Sequence, residues 1–451
     1  MKGGTLLATG SSSCIIKPNI SCKGKKSLRN KDKISKIVFG KKSEEYTKSE
    51  KNIDDIIKKI PDYGEWSLVF DDLCKPPPFD EAKKIDKGLY DCIGDPSIEE
   101  SSIKLKGNKN TKKRELFDKH SIMLTGDYGG ETLESYFDKQ FEDPDENIKN
   151  IEKKFLDFMK KLDKLFNGLV QLKNNEISHL DIKSNNIVIK DENSNFKFID
   201  FGLSAKYSNL KHFKQRAKNE ANTKRIYLYY PPEFLFSQSS DKDLKDMKKT
   251  LETKPFEEFR NHANTYKTIQ AYFNRNPKRS FISIINNYLD GNWNSNFYEI
   301  IKKIDVYSLG ILIPILFYNN DLLDRVKESE MLTNFFELFN LMISSYWYAR
   351  IDIENAYILY KGLIEKFSKK SKKTFKKGGA KKCRRKIRKD KNGQYNKSDI
   401  KHNEKCAQRI QPWMKEILNK DNKSLNDYEK FLKKNIKKKV KSKKKKLSKK
   451  K

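Results

Sequence analysis

Apolar positions recur along this chain in two rhythms. From Ile151 through Phe155, Phe158, Leu162, Leu165, Phe166 and Leu169 they fall three or four residues apart, the spacing of one helix face. Asp143-Pro144 reads as the start of that helix, with Asp as cap and Pro in the first turn. The pattern predicts one long helix whose stripe is core. Ile53, Ile56, Ile57 and Ile60 repeat the rhythm and stop at Pro61. Glu50, three residues before Ile53, falls on the same inward side. Ile34-Ser35-Lys36-Ile37-Val38 is a strand-like run instead. Two further apolar runs, Ile187-Val188-Ile189 and Phe196-Lys197-Phe198-Ile199, flank the polar turn Asp191-Glu192-Asn193-Ser194-Asn195, which predicts a hairpin. Residues 236–300 are aromatic and expected to be helical in parts. A short helix is expected at Pro412–Leu418, where Trp413, Ile417 and Leu418 share a side.

Composition divides the chain. It has 451 residues, 36% hydrophobic, with 27 Phe and 21 Tyr to build a core and a net charge of +35. Residues 369–451 hold 35 Lys and Arg against 7 Asp and Glu, while residues 1–368 hold 61 against 54. A run of like charge repels itself, so this tail is expected to be largely disordered. It is expected to touch polyanions (nucleic acid, acidic protein or a membrane surface) without sequence-specific recognition, or to serve nuclear import. No run of eighteen apolar residues occurs, so no membrane span is expected. Neither a secretory leader nor a myristoylation site is expected at the start. The six Cys lack tight spacing, which argues against a disulfide framework and for a reducing compartment. Cys383, His402 and Cys406 are too few and too loosely spaced for zinc, and His120, His212 and His262 have no chemical companions.

The hairpin sits inside the most informative stretch. His179-Leu180-Asp181-Ile182-Lys183-Ser184-Asn185-Asn186 precedes it and Asp200-Phe201-Gly202 follows it. Antiparallel pairing brings Asn186 and Asp200 together at the open end, a pair of hard oxygen ligands suited to Mg²⁺. Asp181, on the preceding loop, can take a proton, and the Lys183 ammonium can reach a phosphate. Gly202 is expected to allow a sharp backbone turn after the metal ligand.

These residues resemble the catalytic core of protein kinases. His179-x-Asp181-x-Lys183-x-x-Asn186 and Asp200-Phe201-Gly202 match that family's HxDxKxxN and DFG motifs. Pro231-Pro232-Glu233 is similar to its APE motif, and Asp305-Val306-Tyr307-Ser308-Leu309-Gly310 to its DVWSLG. The resemblance implies an α+β, two-lobed fold: a small, mostly β, ATP-binding lobe over residues 1–128 and a large, mostly α lobe over 129–368. An insertion is implied at about 236–300, and the tail covers 369–451. It implies ATP and Mg²⁺, with Asn186 and Asp200 on metal and Asp181 and Lys183 catalytic. Lys36, paired with Glu50, holds phosphates, with Glu44 and Glu45 as competitors for that pairing. It also implies structural roles for His179, Phe201, Gly202, Asp305, Glu233 and Arg350, the last two as partners.

The glycine loop departs most from the family. Gly10, Ser11, Ser12, Ser13 and Ile15 stand where it has GxGxxGxV, with one Gly kept. Leu180 replaces the Arg that normally pairs with a phosphorylated activation loop, so switching by that route is not implied. Lys183, two residues after Asp181, is similar to serine/threonine kinases, so proteins bearing Ser or Thr are the implied substrates. The runs Cys14-Ile15-Ile16-Lys17-Pro18, Ile60-Pro61-Asp62-Tyr63 and Tyr128-Gly129-Gly130 resemble serine/threonine kinases of large nucleocytoplasmic DNA viruses. That implies host cytoplasm, a virus factory, the virion or, through the tail, the nucleus. The alternative is a pseudokinase scaffold that binds ATP weakly or not at all and recruits partners through the insertion and tail.

Overall fold

The computed structural model describes residues 5–9, 13–25, 30–85, 88–93, 105, 107–223, 225–291 and 296–370. Gly10, Ser11, Ser12, Cys383, His402, Cys406, the expected helix at 412–418 and nearly all of the basic tail lie outside them.

The chain divides into two compact units, residues 1–329 with 339–353, and residues 330–338 with 354–451. The first has a small β-sheet lobe followed by a large helical lobe, the two-lobed protein kinase fold. The described part of the second is helical: Phe335 packs on Phe367 and Tyr360, and Lys366 pairs with Glu330 at 3.1 Å.

The small lobe is a five-stranded antiparallel sheet. Its strands are β1 (Thr5–Thr9), β2 (Ser13–Lys17), β3 (Lys33–Phe39), β4 (Asp72–Cys74) and β5 (Ser121–Asp127), in the order β1-β2-β3-β5-β4. β3 is central and pairs with β5 along its whole length, from Lys33 opposite Asp127 to Phe39 opposite Ser121. Helix α1 (Ser43–Ile57) buries Ser43, Thr47, Glu50, Ile53, Asp54 and Ile57, a single face at helical spacing. Cys14, Ile16, Ile37, Phe39, Phe117 and Met123 lie in the small lobe's apolar cluster.

Two disulfides join this lobe, Cys14–Cys92 and Cys22–Cys74, with Cα separations of 6.0 and 5.8 Å. This corrects the expectation of free thiols. The partners are 78 and 52 residues apart, and the sheet rather than any local spacing brings them together.

In the large lobe the expected long helix is two, Ile148–Lys161 and Asp163–Asn174, broken at Leu162. The cap is Asn147, whose side chain accepts from Lys149 N at 2.9 Å, and not Asp143. Asp143 Oδ1 instead accepts from Asp145 N, closing a local turn that Pro144 suits. The stripe from Ile151 to Leu169 is buried, as its rhythm implies. The helix Ile304–Asn319 is apolar all round and buried almost throughout, which makes it the lobe's spine. Between Glu233 and Asp305 the described chain forms the helices Asp241–Thr253, Ala263–Tyr272, Pro277–Leu289 and Phe297–Ile301. Their Tyr266, Phe281, Ile285, Tyr288 and Phe297 share one apolar core with Leu180, Tyr230 and Phe234, so this segment is part of the lobe's packing.

Candidate active site

Lys36 stands mid-strand on β3, opposite Ile15 on one side and Leu124 on the other. Its Nζ lies 2.8 and 3.0 Å from the two carboxylate oxygens of Glu50 and 2.9 Å from Asp200 Oδ1. The strand presents the Lys, the inward face of α1 the Glu, and the segment after the hairpin the Asp. Glu44 and Glu45 are exposed on the other side of α1, and Glu44 pairs with Lys48. Burial works against the Lys36 charge, but the Glu50 and Asp200 carboxylates outweigh it and hold the ammonium above its ordinary value. Burial likewise opposes the Asp200 charge, and the nearby Lys36 ammonium prevails, holding that carboxyl below its ordinary value. Glu50 is pushed up by its burial.

The hairpin forms as its pattern predicts. β6 (Ile187–Ile189) pairs antiparallel with β7 (Lys197–Phe198), Ile187 opposite Phe198, and Ile199 N donates to Asn186 O at 3.0 Å. Asn186 and Asp200 therefore stand at the same open end. The Asn186 amide nitrogen donates to Asp181 O at 2.9 Å and to Asp181 Oδ2 at 2.7 Å, which leaves its Oδ1 as the acceptor atom. Lys183 Nζ donates to the same Asp181 Oδ2 at 2.9 Å.

The loop carrying Asp181 is held from below. Asp305, on the buried spine helix, accepts from Ser178 Oγ and His179 N through Oδ2 and from Leu180 N through Oδ1, at 2.9, 2.7 and 3.0 Å. His179 is fully buried, with its ring 4.6 Å from that of Phe201. Burial lowers its pKa, which favours a neutral, structural ring. Leu180 adopts a left-handed φ of 62° and drops into the apolar core, and Tyr230 Oη donates to its carbonyl.

The sharp turn in Asp200-Phe201-Gly202 is made by Asp200, at φ 63°, and not by Gly202, which corrects the expectation. Gly202 serves space instead: a Cβ there would lie 3.2 Å from Asp200 Oδ1 and 3.4 Å from Glu50 Oε2. Glu233 and Arg350 form a fully buried ion pair, Nη2 to Oε1 at 2.5 Å. Ser13 and Ile15 are half-buried on β2.

Tyr227 Oη donates to Asp181 Oδ1 at 2.9 Å. The aromatic run Tyr227-Leu228-Tyr229-Tyr230 signals a packed segment, but nothing in its spacing singles out the ring that reaches Asp181.

Asn186 and Asp200 together offer an amide oxygen and a carboxylate, a donor set that suits Mg²⁺. Among the described residues no cluster of three or more His, Cys, Asp or Glu gathers as a self-sufficient metal cage. A Mg²⁺ held by this pair would complete its shell with phosphate oxygens and water. No helix among the described residues is long and apolar enough to cross a membrane.

No curated protein matches the chain. The protein kinase domain model matches residues 113–247, a segment that includes the Asp181 loop, the hairpin, Asp200-Phe201-Gly202 and Pro231-Pro232-Glu233. Lys36, Glu50, Asp305 and Arg350 lie outside the matched segment and join the site through the fold. The presence of this domain, on a two-lobed kinase fold, supports the chain's membership in the eukaryotic protein kinase superfamily.

Proposed function

We propose that the chain transfers the γ-phosphate of Mg²⁺-ATP to Ser or Thr hydroxyls of proteins. The observation that carries this reading is the Lys36 ammonium reaching Glu50 and Asp200 together, at 2.8 and 2.9 Å. Three elements distant in sequence converge there on one charged group. A charged, buried ammonium beside a half-open carboxylate has little structural purpose but is suited to phosphate and metal.

In this reading Lys36 binds phosphate oxygens and Glu50 fixes its position. Asn186 and Asp200 hold Mg²⁺, which when bound neutralises charge on the phosphates. Asp181 orients the acceptor hydroxyl and takes its proton. Its Oδ2 already receives Lys183 and Asn186, so Oδ1 is the oxygen suited to the proton. Lys183 then lies one carboxylate away from the transferring group and can offset its developing charge. Catalysis of this kind is mainly positioning and electrostatics.

The resemblance to kinases of large DNA viruses, and with it a place in host cytoplasm, virus factory or virion, rests on the sequence runs that carry it. Contact of the basic tail with polyanions rests on its charge. The scaffold reading draws on the single glycine kept in the phosphate loop.

The test is transfer of labelled γ-phosphate to a generic basic protein, with Asp181→Asn alongside. The expected result is transfer by the parent chain and a loss of about 10²–10⁴-fold in the variant. Transfer by neither, from folded protein and with several acceptors tried, would replace this reading with the scaffold. Phosphoamino-acid analysis separates Ser and Thr from Tyr.

A further inference from the structure

We propose that the Cys22–Cys74 disulfide is a thiol–disulfide exchange site: a dithiol reductant opens it, and opening weakens the hold of the small lobe on Mg²⁺-ATP. The inference rests on the kinase reading above and adds a covalent control to it.

The two disulfides differ in access. Cys14 is fully buried and Cys92 is 5% exposed, both inside the small lobe's apolar cluster. Cys22 and Cys74 are half-buried at the margin of that cluster. A thiolate must reach a sulfur to exchange with it, so a reductant meets Cys22–Cys74 first. Cys14–Cys92 is reached only when the lobe opens, and it serves as a fixed staple.

The accessible bond also sits where a loss is felt at the site. Cys74 ends β4, a three-residue strand at the sheet edge, and Cys22 belongs to the turn after β2. Beside the bond, Lys23 N donates to Lys75 O at 2.9 Å. The residues that lead into β4 tie it to α1. Phe70 N donates to Asp54 Oδ2 at 3.0 Å, one helical turn after Glu50. The Phe70 ring centroid lies 5.6 Å from Lys36 Nζ. Asp71 pairs with Lys33, on the strand of Lys36, and with Lys58, at the end of α1, at 2.7 and 3.2 Å. The bond joins residues 52 apart, and the loop it closes contains Lys36, Glu50, Asp54 and Phe70. Opening it releases the β4 segment, and the hold of that segment on α1 loosens. Glu50 then no longer fixes Lys36 for phosphate.

The exchange balances with the dithiol as the only co-reactant. One thiolate attacks a sulfur of the pair, the Cys22–Cys74 bond breaks, and a mixed disulfide forms. The second thiolate then displaces the protein sulfur. Two electrons and two protons pass to the protein, which gains two thiols, and the dithiol becomes a disulfide. The oxidised dithiol reverses the step.

The experiment uses the full chain, titrated with dithiothreitol, alkylated and mapped by mass spectrometry. Binding of a fluorescent ATP analogue with Mg²⁺ is measured on parallel samples. The expected result at low dithiol is alkylation of Cys22 and Cys74 with Cys14 and Cys92 still joined. Affinity should fall about fivefold or more, as when about a fifth of the molecules or fewer keep a competent lobe. Oxidised dithiothreitol should restore it. In transfer assays the KM for ATP should rise while the KM for the protein acceptor stays constant, a split that general unfolding would not give. A chain carrying Cys22→Ser and Cys74→Ser should bind the analogue as the reduced parent does and ignore low dithiol. Should that variant fail to fold, the titration of the parent decides alone. Cys22 and Cys74 alkylated with affinity unchanged, or a Cys14–Cys92 bond that opens first, overturns this proposal and leaves the kinase reading standing. An oxidised chain that neither binds the analogue nor transfers phosphate overturns both.

Discussion

Replacing Arg350 with Ala removes the cation from the most enclosed ion pair in the large lobe. Arg350 and Glu233 are both fully buried. The guanidinium donates to Glu233 Oε1, to Lys303 O at 3.1 Å, and to Ser344 O at 3.2 Å from Nε and 2.8 Å from Nη2. The substitution leaves a buried carboxylate without its ion-pair partner, takes both Arg350 bonds from Ser344 O, and leaves Lys303 O with Tyr307 N as donor at 3.2 Å. Breaking a buried pair from one side costs about 3–5 kcal/mol. Lysine should not rescue it, because one ammonium cannot span Glu233 and both carbonyls as the planar fork does. A pH signature separates this mechanism from simple loss of packing. Burial already pushes the Glu233 carboxyl up, and Arg350 is the main group pulling it down. Without Arg350 the carboxyl must rise further. A carboxyl with a folded pKa above its unfolded value binds more protons when folded, so stability falls as pH rises through that window. The gap between Arg350→Ala and the parent should therefore widen from pH 4 to pH 7. Urea unfolding followed by tryptophan fluorescence reads both quantities. A loss under about 1 kcal/mol at pH 7, or a gap that stays constant with pH, would refute the reasoning.

Three further outcomes follow from single features. Asp54, buried on α1, is pushed up to about 8 by burial and the nearby Glu50, and Phe70 N donates to its Oδ2 at 3.0 Å. Its raised pKa means that stability falls between about pH 4 and 8, by at most about 1.4 kcal/mol per pH unit from this group, and Asp54→Asn should flatten that slope in melts across the range. At Gly130, φ is +95° and an added Cβ would lie 1.9 Å from Ile189 O, whereas at Gly291, with φ +70°, an added Cβ would meet nothing within 4 Å among the described residues. Gly130→Ala should thus cost more than about 2 kcal/mol and Gly291→Ala about 1 kcal/mol, and equal losses in urea titrations would contradict the steric account. Removing Cys14–Cys92 by a double Ser substitution should destabilise by about 2–4 kcal/mol, and a reductant should lower the melting temperature of the parent more than that of the variant.

What could be read from the sequence divides by the reach of each contact. Asn186 and Asp200 stand at the same end because two apolar runs fold back across five polar residues, and both belong to one hairpin. Glu50 reaches Lys36 because helical spacing places it on the face that holds Ile53 and Ile57. Periodicity is enough for such contacts. It does not resolve breaks inside a period: the stripe from Ile151 to Leu169 continues across Leu162, where the helix stops, because apolar spacing reports burial and not backbone continuity. Nor does composition reveal backbone angle, so Asp200 takes the left-handed turn that Gly202 was expected to make.

Contacts that close over long distances leave no local trace unless their chemistry is costly. A buried Arg such as Arg350 demands a carboxylate, and a buried Asp such as Asp305 demands donors, so both stand out once a family pattern proposes partners. The phenol of Tyr227 demands nothing of the kind. A tyrosine in an aromatic run satisfies its ring by packing and its hydroxyl almost anywhere, and the run from Tyr227 to Tyr230 offers three of them. Only the path of the chain from Asp200 to Glu233 decides that Tyr227, and neither of the other two, meets Asp181 Oδ1. The residues of broadest chemistry were legible because their chemistry constrains their spacing. The contact of Tyr227 with Asp181 was not, because nothing but the fold constrains it.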